Sequence, residues 1–293
     1  MSATTTTPTF VKRLPLFFDE VKFQESIFAL PFAYSGMVLA ADGLPTWDQF
    51  GWITIAMVSA RTAGMSANRL IDRNIDLRNP RTAGRNLPKG MLKVSDVAAL
   101  AAAAAAVFLF AASQLNGLAL ALAPVALAYL AIYPYTKRFT WAASFFLGWA
   151  LAIAPSAAWI GVRGSLGWEP VLLSGAVASW AASFDILYHV QDREFHVASG
   201  LNSMARRFGV RDAFRVARAL DALALACLVG LGLWMGLAFP YFIGCAGAAT
   251  IMVYKHRLVS PGDLSRMGMA FFRINAYVST TMLVATLAAV LIG

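Results

Sequence analysis

The stretch "NRLIDRNID" places one amide and two carboxylates at a spacing that could bind a cation. Asn68, Asp72 and Asp76 follow one another at intervals of four residues, so they share one face of an α-helix. Arg61, seven residues before Asn68, points the same way. This face therefore combines oxygen atoms that suit a metal ion with a basic group that suits an anion.

A second stretch, "DILYHVQD", repeats the arrangement with Asp185, Tyr188 and Asp192 at intervals of three and four residues. Each stretch precedes a polar segment that contains Gly, Asn and Arg, namely "LRNPRTAGRNLPKG" and "VASGLNSMARRFG". This weak internal symmetry predicts two related acidic edges around one common cavity.

Carboxylates and basic side chains together indicate a metal ion bound with a phosphate group. Carboxylates alone would suit a cation, whereas arginines and lysines alone would suit an anion. Mg²⁺ takes few carboxylates and also binds phosphate oxygens of a substrate, and Lys and Arg bind the phosphate charge that remains. A diphosphate leaving group fits this combination of residues, since the metal ion and the basic side chains neutralise its negative charge as it departs. A diphosphate carried by a lipid would explain a site inside a membrane.

The elements that must position these residues are membrane-spanning helices. The chain has 293 residues, of which 59% are hydrophobic and 13% charged, and its mean hydropathy is +0.64. Its apolar stretches are long enough to cross a bilayer, where helices satisfy their own backbone groups. We predict an all-α integral membrane protein with one helical bundle. Nine transmembrane helices are expected, at residues 24–41, 49–74, 94–114, 116–133, 140–162, 168–192, 211–235, 237–255 and 268–292.

The charges between these helices predict the orientation of the chain. Nearly all basic residues of the connections, including Lys255 near the end of the eighth helix, fall on one side, and Arg163 alone falls on the other. This positive-inside pattern puts the N-terminus and the charged loops in the cytoplasm, and it accounts for most of the net charge of +9 without nucleic acid. Arg69 and Arg73 lie off the acidic face, and we expect them to fix a helix end at this surface.

No linker divides the chain, so residues 1–293 are expected to form a single domain. Residues 1–20 do not resemble a secretory signal, because Asp19 and Glu20 interrupt a short apolar run. We expect a flexible cytoplasmic N-terminus with an amphipathic segment at the membrane surface. Cys227 and Cys245 fall inside predicted spans and indicate neither a disulfide framework nor a metal site.

These segments resemble the UbiA superfamily of intramembrane prenyltransferases. "NRLIDRNID" is similar to the N-x-x-x-D-x-x-x-D motif of that superfamily, and "DILYHVQD" is similar to its D-x-x-Y-x-x-x-D motif. "NPRTAGRNLPKG", "YPYTKRFT" and "GLNSMARRFG" match further family segments, so the resemblance covers nearly the whole chain. The branch that it resembles contains 4-hydroxybenzoate polyprenyltransferase and its quinone-pathway relatives, including a menaquinone prenyltransferase of the futalosine route.

The resemblance implies Mg²⁺-dependent transfer of a polyprenyl group from polyprenyl diphosphate to a small aromatic acceptor. The acceptor would be 4-hydroxybenzoate or a dihydroxynaphthoate, in ubiquinone or menaquinone biosynthesis. Loss of diphosphate would leave an allylic cation, which a central cavity open to the cytoplasm would protect from water. The lipid bilayer is the expected surrounding, and no obligate protein partner is inferred.

The resemblance also assigns roles to individual residues. The expected metal ligands are Asn68, Asp72, Asp76, Asp185 and Asp192. The expected catalytic residues are the four acids of that set and Tyr188. The residues expected at the phosphate oxygens are all basic: Arg61, Arg81, Arg85, Lys89 and Lys137. Those expected around the acceptor are Lys22, Tyr133 and Asn275.

One position departs from the family pattern. His196 stands where the family often has a further acid, four residues after Asp192. Histidine is a poor ligand for a hard cation such as Mg²⁺. We therefore expect His196 to be a loop residue wetted by solvent, with Glu194 as a candidate to supply an oxygen instead.

Two other classes of protein remain open at this point. A cation- or proton-coupled transporter would use intramembrane acids as a relay. It would not need the "RTAGRNLPKG" loop or a basic residue on the acidic face. A lipid-binding or scaffolding membrane protein needs none of the acids.

Overall fold

Helices make up almost all of the regular structure of the protein. A computed structural model describes residues 10–22 and 26–293, and within that part the only β-type pairing is an isolated bridge between Ser260 and Asp263. A 3₁₀ segment follows α5, and a π-helical turn joins α12 to α13. The helices are α1 (Phe10–Glu20), α2 (Ser26–Ala41), α3 (Trp47–Arg78), α4 (Val94–Leu115), α5 (Gly117–Ile132), α6 (Ala143–Arg163), α7 (Trp168–Val190), α8 (Arg193–Ser199), α9 (Met204–Phe208), α10 (Val210–Met235), α11 (Phe239–Leu258), α12 (Met267–Met269) and α13 (Asn275–Ile292).

Each of the nine predicted segments overlaps a helical region of the structure. Residues 24 and 25 of the first segment lie outside the described residues, and the last segment, 268–292, spans α12, the π-helical turn and α13. Six helical segments among the described residues are long and apolar enough to cross a membrane. They are Val94–Leu115, Gly117–Arg138, Ala143–Arg163, Trp168–Val190, Val210–Met235 and Met267–Ile292. The all-α membrane architecture is therefore confirmed. That α2, α3 and α11 also cross, which would make nine spans, stays a prediction.

The two acidic motifs lie at the C-terminal ends of two long helices. α3 begins with a capping box, in which the Thr46 hydroxyl accepts a hydrogen bond from the Gln49 backbone and the Gln49 side chain accepts one from the Thr46 backbone. α3 ends at Arg78, two residues after the last acid of its motif, and α7 ends at Val190, two residues before the last acid of the second motif. Both motifs are thus placed beside loops that carry additional basic residues.

Small residues allow the helices around the second motif to pack closely. A methyl group at Gly148 of α6 would lie 2.3 Å from the carbonyl oxygen of Ala178 in α7, and one at Gly36 of α2 would lie 2.5 Å from that of Pro155. Both distances are far below van der Waals contact, so only glycine permits this approach of the backbones. The contacts fix α2, α6 and α7 as one wall of the bundle.

α1 is attached to the bundle by polar contacts near its end. The Asn86 side chain donates hydrogen bonds to the Leu16 carbonyl oxygen (3.2 Å) and to Asp19 (2.9 Å). Arg69 of α3 donates to the Glu20 carbonyl oxygen at 3.1 Å, and its side chain is nearly fully buried. The expectation that Arg69 fixes a helix end at the surface is therefore wrong. In the stretch expected to be flexible, residues 10–20 are helical, and residues 1–9 lie outside the described residues.

A cluster of buried charges joins α10 to α11. The Lys255 ammonium lies 2.7 Å from the Asp221 carboxylate, and His256 Nε2 lies 2.6 Å from the same oxygen. Lys255 also donates to the hydroxyl of Ser183 in α7 at 3.3 Å. The sequence suggested that Lys255 is a loop charge at the membrane surface. Only 1% of Lys255 is exposed, so that expectation is wrong. We call Asp221, Lys255 and His256 the packed cluster.

Candidate active site

Both acidic motifs line one cavity of about 620 Å³ inside the bundle. α3 contributes the first motif from one side, and the end of α7 contributes the second from the other. The motif residues in the lining are Asn68, Asp72, Asp76, Asp185, Tyr188 and Asp192. The structure thus brings together two stretches that are more than 100 residues apart in the sequence.

The acids of the first motif are paired with basic residues from later segments. The Lys137 ammonium, on the 3₁₀ segment Tyr133–Arg138, donates a hydrogen bond to Asp72 Oδ2. Arg85, in the loop after α3, donates to Asp76 Oδ2 at 2.6 Å. Only 2% of Asp72 and 5% of Asp76 are exposed, so both carboxylates depend on these partners for charge compensation. The pairs bring positive charge directly to the acidic face.

Arg81 connects the loop of the first motif to the acid of the second. Its Nε donates to Asp192 Oδ1 at 2.9 Å, and its Nη2 donates to Oδ2 at 2.5 Å, which is the two-point geometry of a guanidinium on a carboxylate. The Asn79 amide adds a hydrogen bond of 3.3 Å to Asp192 Oδ1. Arg81 also donates to Tyr188 Oη at 3.0 Å and lies 4.8 Å from the centre of its ring. One arginine therefore orients two predicted site residues.

The charge of Arg81 decides the ionisation of Asp192. Burial would by itself raise the pKa of the carboxyl, but the hydrogen bond and charge of Arg81, with smaller contributions from His189 and Asn79, outweigh it. The pKa of Asp192 therefore lies below its ordinary value. The group stays ionised at neutral pH, as an oxygen ligand of a cation must.

His189 is a site residue that the sequence reasoning missed. Its Nδ1 lies 3.0 Å from Asp185 Oδ2, and both residues line the cavity. The spacing of four residues on α7 was a visible signal, because side chains at that interval are neighbours on a helix. Asp185 is thus held by an imidazole, while the other three motif acids are held by Lys or Arg.

His196 lies in the wall of the cavity, so the expectation of a histidine wetted by solvent is wrong. Its side chain packs against His189, with the ring centres 5.5 Å apart, and only 5% of the residue is exposed. Burial, followed by the nearby charge of His189, lowers the pKa of His196 to about 4. The imidazole is therefore neutral at neutral pH. Glu194, the alternative oxygen donor, is exposed and does not line the cavity.

The remaining predicted residues divide into two groups. Arg61, Lys22 and Tyr133 line the cavity, whereas Lys89 and Asn275 do not. Lys89 is exposed in its loop, and Asn275 is fully buried at the start of α13. The structure therefore does not bring Lys89 and Asn275 to the site.

Arg61 differs from the other cavity cations in its depth. It lies eleven residues before Asp72 on α3, which corresponds to about 16 Å along the helix axis. Arg81, Arg85 and Lys137 instead contact the motif acids directly. Positive charge is thus available at two levels of the cavity, one beside the motif acids and one deeper along α3. Among the basic residues predicted to bind phosphate, only Arg61 lies at the deeper level.

Apolar side chains line much of the remaining wall. They come from the middle of α3, α5 and α6, and they include Met57, Ala60, Leu130, Leu147, Leu151 and Ala154. The cavity therefore continues from the charged end into the hydrophobic part of the bundle. A ligand with an anionic head and an apolar tail fits this distribution of polarity.

The oxygen atoms at the charged end fit a hard divalent cation by their chemistry. Asp72 Oδ1 is buried and accepts no hydrogen bond from the residues that the structure describes, and a nitrogen of Arg138 lies 3.7 Å from it. Carboxylate and amide oxygens are the ligands that Mg²⁺ takes from proteins. Within the described residues no three His, Cys, Asp or Glu side chains are already grouped around one point. The acids that could hold a cation are Asp72, Asp76 and Asp192, with Asn68 as an amide donor.

The sequence matches the model of the UbiA prenyltransferase family over residues 29–277. A 4-hydroxybenzoate octaprenyltransferase of Paraburkholderia phytofirmans is 30% identical over 279 residues, which cover 93% of this chain and 95% of the relative. One of Nitrosospira multiformis is 32% identical over 240 residues, 82% of each chain.

Solved structures give the same result for the fold. A UbiA homolog from Aeropyrum pernix K1 superposes with a TM-score of 0.83 at 29% identity, and the match covers 90% of this chain and 98% of the homolog. A UbiA homolog from Archaeoglobus fulgidus, bound to GPP and Mg²⁺, superposes with a TM-score of 0.66 at 18% identity, over 91% and 99% of the two chains.

Proposed function

Because the chain belongs to the UbiA prenyltransferase family, we propose that it transfers a polyprenyl group from polyprenyl diphosphate to a small aromatic acceptor. The acceptor is 4-hydroxybenzoate or a dihydroxynaphthoate. One observation carries the proposal: a single cavity joins paired acids and cations at one end to an apolar wall at the other. A transporter that uses the acids as a relay finds no support in this family membership.

The charged end binds the diphosphate. Asp72, Asp76 and Asp192, with Asn68, would hold Mg²⁺, which when bound neutralises the leaving group and polarises its bond to the prenyl carbon. The UbiA homolog from Archaeoglobus fulgidus binds Mg²⁺ together with GPP, which supports this choice of cation. Asp185 is the less suitable ligand, because His189 already contacts its carboxylate.

The cations that now pair with the acids complete the diphosphate site. Arg81, Arg85 and Lys137 each place a nitrogen within hydrogen-bond distance of a motif carboxylate, so a phosphate oxygen bound between the acids and these groups can replace one of those contacts. Arg81 offers a two-point contact, whereas Lys137 offers a point charge. Together they stabilise the negative charge that develops when the carbon–oxygen bond breaks.

The apolar wall protects the other product of that step. Breaking the bond leaves an allylic cation on the prenyl chain, and water would capture it. The side chains of α3, α5 and α6 exclude water there, and the rings of Tyr133 and Tyr188 face the same cavity and can stabilise a cation. The acceptor ring then forms a carbon–carbon bond to the cation and loses one proton, for which the Asp185–His189 pair is the candidate base.

The deep position of Arg61 suits the acceptor rather than the diphosphate. A hydroxybenzoate carries a carboxylate at the end of the ring away from its hydroxyl, so that carboxylate must lie apart from the diphosphate while the ring reacts. Arg61 lines the cavity about 16 Å along α3 from Asp72. A guanidinium at that level can bind the acceptor carboxylate.

The cellular setting follows from the same proposal. The nine helices cross a bacterial-type inner membrane with the N-terminus and the motif loops in the cytoplasm, so that the cavity opens where a water-soluble acceptor is available. The whole chain acts as one prenyltransferase domain in ubiquinone or menaquinone biosynthesis.

An acceptor panel tests the proposal. Membranes that contain the protein are incubated with one labelled polyprenyl diphosphate, Mg²⁺ and either 4-hydroxybenzoate or a dihydroxynaphthoate, and the products are identified by mass. We expect a prenylated product with at least one acceptor, and none in excess EDTA. Absence of product with every acceptor would overturn the proposal, and full activity in EDTA would overturn the metal-dependent mechanism.

A further inference from the structure

The second acidic motif carries a polar group that neither the metal nor the diphosphate accounts for. His196 lines the cavity, and its Nδ1 atom is buried without a hydrogen-bond partner among the residues that the structure describes. A buried polar atom without a partner is costly, because it has lost its contacts with water. Its position in the cavity wall indicates that a bound ligand supplies the missing contact.

The chemistry of His196 excludes the two ligands already placed in the cavity. Imidazole nitrogen is a poor ligand for Mg²⁺, which prefers oxygen. A phosphate oxygen is bound best by a charged donor, and Arg81, Arg85 and Lys137 already supply such donors at the charged end of the cavity. A neutral imidazole has one hydrogen-bond donor and one acceptor. A hydroxyl group has the same combination.

The position of His196 matches the place where an acceptor hydroxyl must lie. It follows Asp192 by one helical turn, and its ring is 5.5 Å from that of His189. A phenolic hydroxyl activates the ring carbon next to it, so the hydroxyl lies beside the carbon that attacks the prenyl group. That carbon reacts next to the departing diphosphate, which the Arg81–Asp192 pair borders. The hydroxyl therefore points toward this end of the cavity and the acceptor carboxylate away from it.

We propose that His196 binds the phenolic hydroxyl group of the aromatic acceptor and so determines which rings the enzyme accepts. This inference rests on the proposed function. It assigns the two polar ends of the acceptor to opposite sites, with the hydroxyl at His196 and the carboxylate at Arg61. The residue that replaces a family acid thus serves the acceptor and not the metal.

Two variants of His196 test the assignment. His196→Leu keeps the bulk of the side chain but removes both hydrogen-bonding atoms, and His196→Asn keeps a donor and an acceptor near the position of Nδ1. We expect His196→Leu to raise the KM for 4-hydroxybenzoate about tenfold, as for a lost buried hydrogen bond. His196→Asn should recover most of that loss. The KM for polyprenyl diphosphate and the Mg²⁺ requirement should stay unchanged in both.

A ligand that lacks the hydroxyl group distinguishes a loss of hydroxyl binding from a general disturbance of the fold by His196→Leu. Benzoate, used as a competitive inhibitor of 4-hydroxybenzoate, has the same ring and carboxylate. Its inhibition constant should be equal in the wild type and in His196→Leu. A dihydroxynaphthoate and the corresponding naphthoate form the second pair. The matched control is Glu194→Gln on the same helix, an exposed residue outside the cavity, which should change none of these constants.

The other outcomes overturn the inference in distinguishable ways. An equal loss of affinity for 4-hydroxybenzoate and benzoate would mean that His196 only supports the fold of α8. A raised KM for polyprenyl diphosphate with an unchanged acceptor KM would assign the residue to the diphosphate. Wild-type membranes that prenylate none of the acceptors would overturn the proposed function itself.

Discussion

Two clusters of buried charges in this bundle are built from the same chemistry and differ in their surroundings. In the cavity, Asp72 pairs with Lys137 and Asp192 with Arg81. In the packed cluster, Asp221 pairs with Lys255 and His256. The acids of both are almost fully buried, and their pairs are comparably short. Burial and pairing alone therefore do not distinguish a site from a structural contact.

The difference lies in what the charges face. Asp72, Lys137 and Arg81 line an open cavity, so a ligand can replace their contacts with one another. Lys255 is enclosed by α7, α10 and α11, and none of the three residues of the packed cluster borders the cavity. In the cavity a ligand can therefore exchange with the ion-pair partners, whereas in the packed cluster no such exchange is possible. An intramembrane acid thus indicates function only when the structure leaves it an accessible side.

The largest effect is expected at Asp72. Asp72→Asn keeps the shape of the side chain but removes the charge that would hold a metal ion, and we expect transfer to fall by at least about a hundredfold. Lys137 remains solvated by the cavity, so the melting midpoint in detergent should change little. Product formation from labelled polyprenyl diphosphate and a thermal melt measure the two effects. A variant with wild-type activity would remove Asp72 from the mechanism.

The packed cluster should respond in the opposite way. Asp221→Asn leaves the Lys255 ammonium buried without its counter-charge, a change that costs about 3–5 kcal/mol of folding stability. We expect a clear fall of the melting midpoint, and the protein that remains folded should keep its KM for both substrates.

A second substitution sharpens this result. Asp221→Asn combined with Lys255→Met removes both charges, and it should recover much of the lost stability. If Asp221→Asn instead abolished transfer at an unchanged melting midpoint, the packed cluster would belong to the catalytic machinery and the contrast between the clusters would fail.

A smaller effect is expected from the geometry of Arg81. Arg81→Lys keeps the charge but loses the two-point contact with Asp192 and the hydrogen bond to Tyr188. We expect kcat/KM for polyprenyl diphosphate to fall about tenfold to a hundredfold. Arg215→Lys is the matched control, because Arg215 forms an exposed pair with Asp212 at 2.9 Å. Equal activity of both variants would show that only the charge at position 81 matters.

The smallest effect concerns the pH dependence of stability. His196 has a pKa of about 4 in the folded protein, below the ordinary value of 6.5 that applies when the chain is unfolded. Between these values the unfolded chain binds a proton that the folded chain does not, so stability falls as pH decreases from about 6.5 to about 4.

His196→Asn lacks this titration. Its melting midpoint should fall less than that of the wild type over the same pH range, measured in the same detergent. If the melting midpoints of the two proteins instead fell in parallel as pH decreases, His196 would not be buried as a neutral group. The charged residues that line the cavity would then tolerate an additional positive charge.

Local patterns in the sequence determined most of the framework. The apolar runs located, to within a few residues, the six helical segments that are long and apolar enough to cross a membrane, because length and hydrophobicity decide which segments fit a bilayer. The spacing of Asp72 and Asp76 predicted their shared face on α3, since helical periodicity is a local property, whereas Asp192 lies two residues beyond the end of the helix that carries Asp185. The combination of acids and bases, together with the family motifs, indicated the reaction class before any contact was known.

Long-range packing decided the rest. The pairing of Arg81 with Asp192 joins residues 111 positions apart, and no local rule selects that partner. The same holds for the burial of Arg69, Lys255 and His196, each of which the sequence assigned to a surface. A charged or polar side chain looks alike in sequence whether it faces water, a cavity or another charge. Only the folded bundle, which fixes the neighbours of each group, separates these cases.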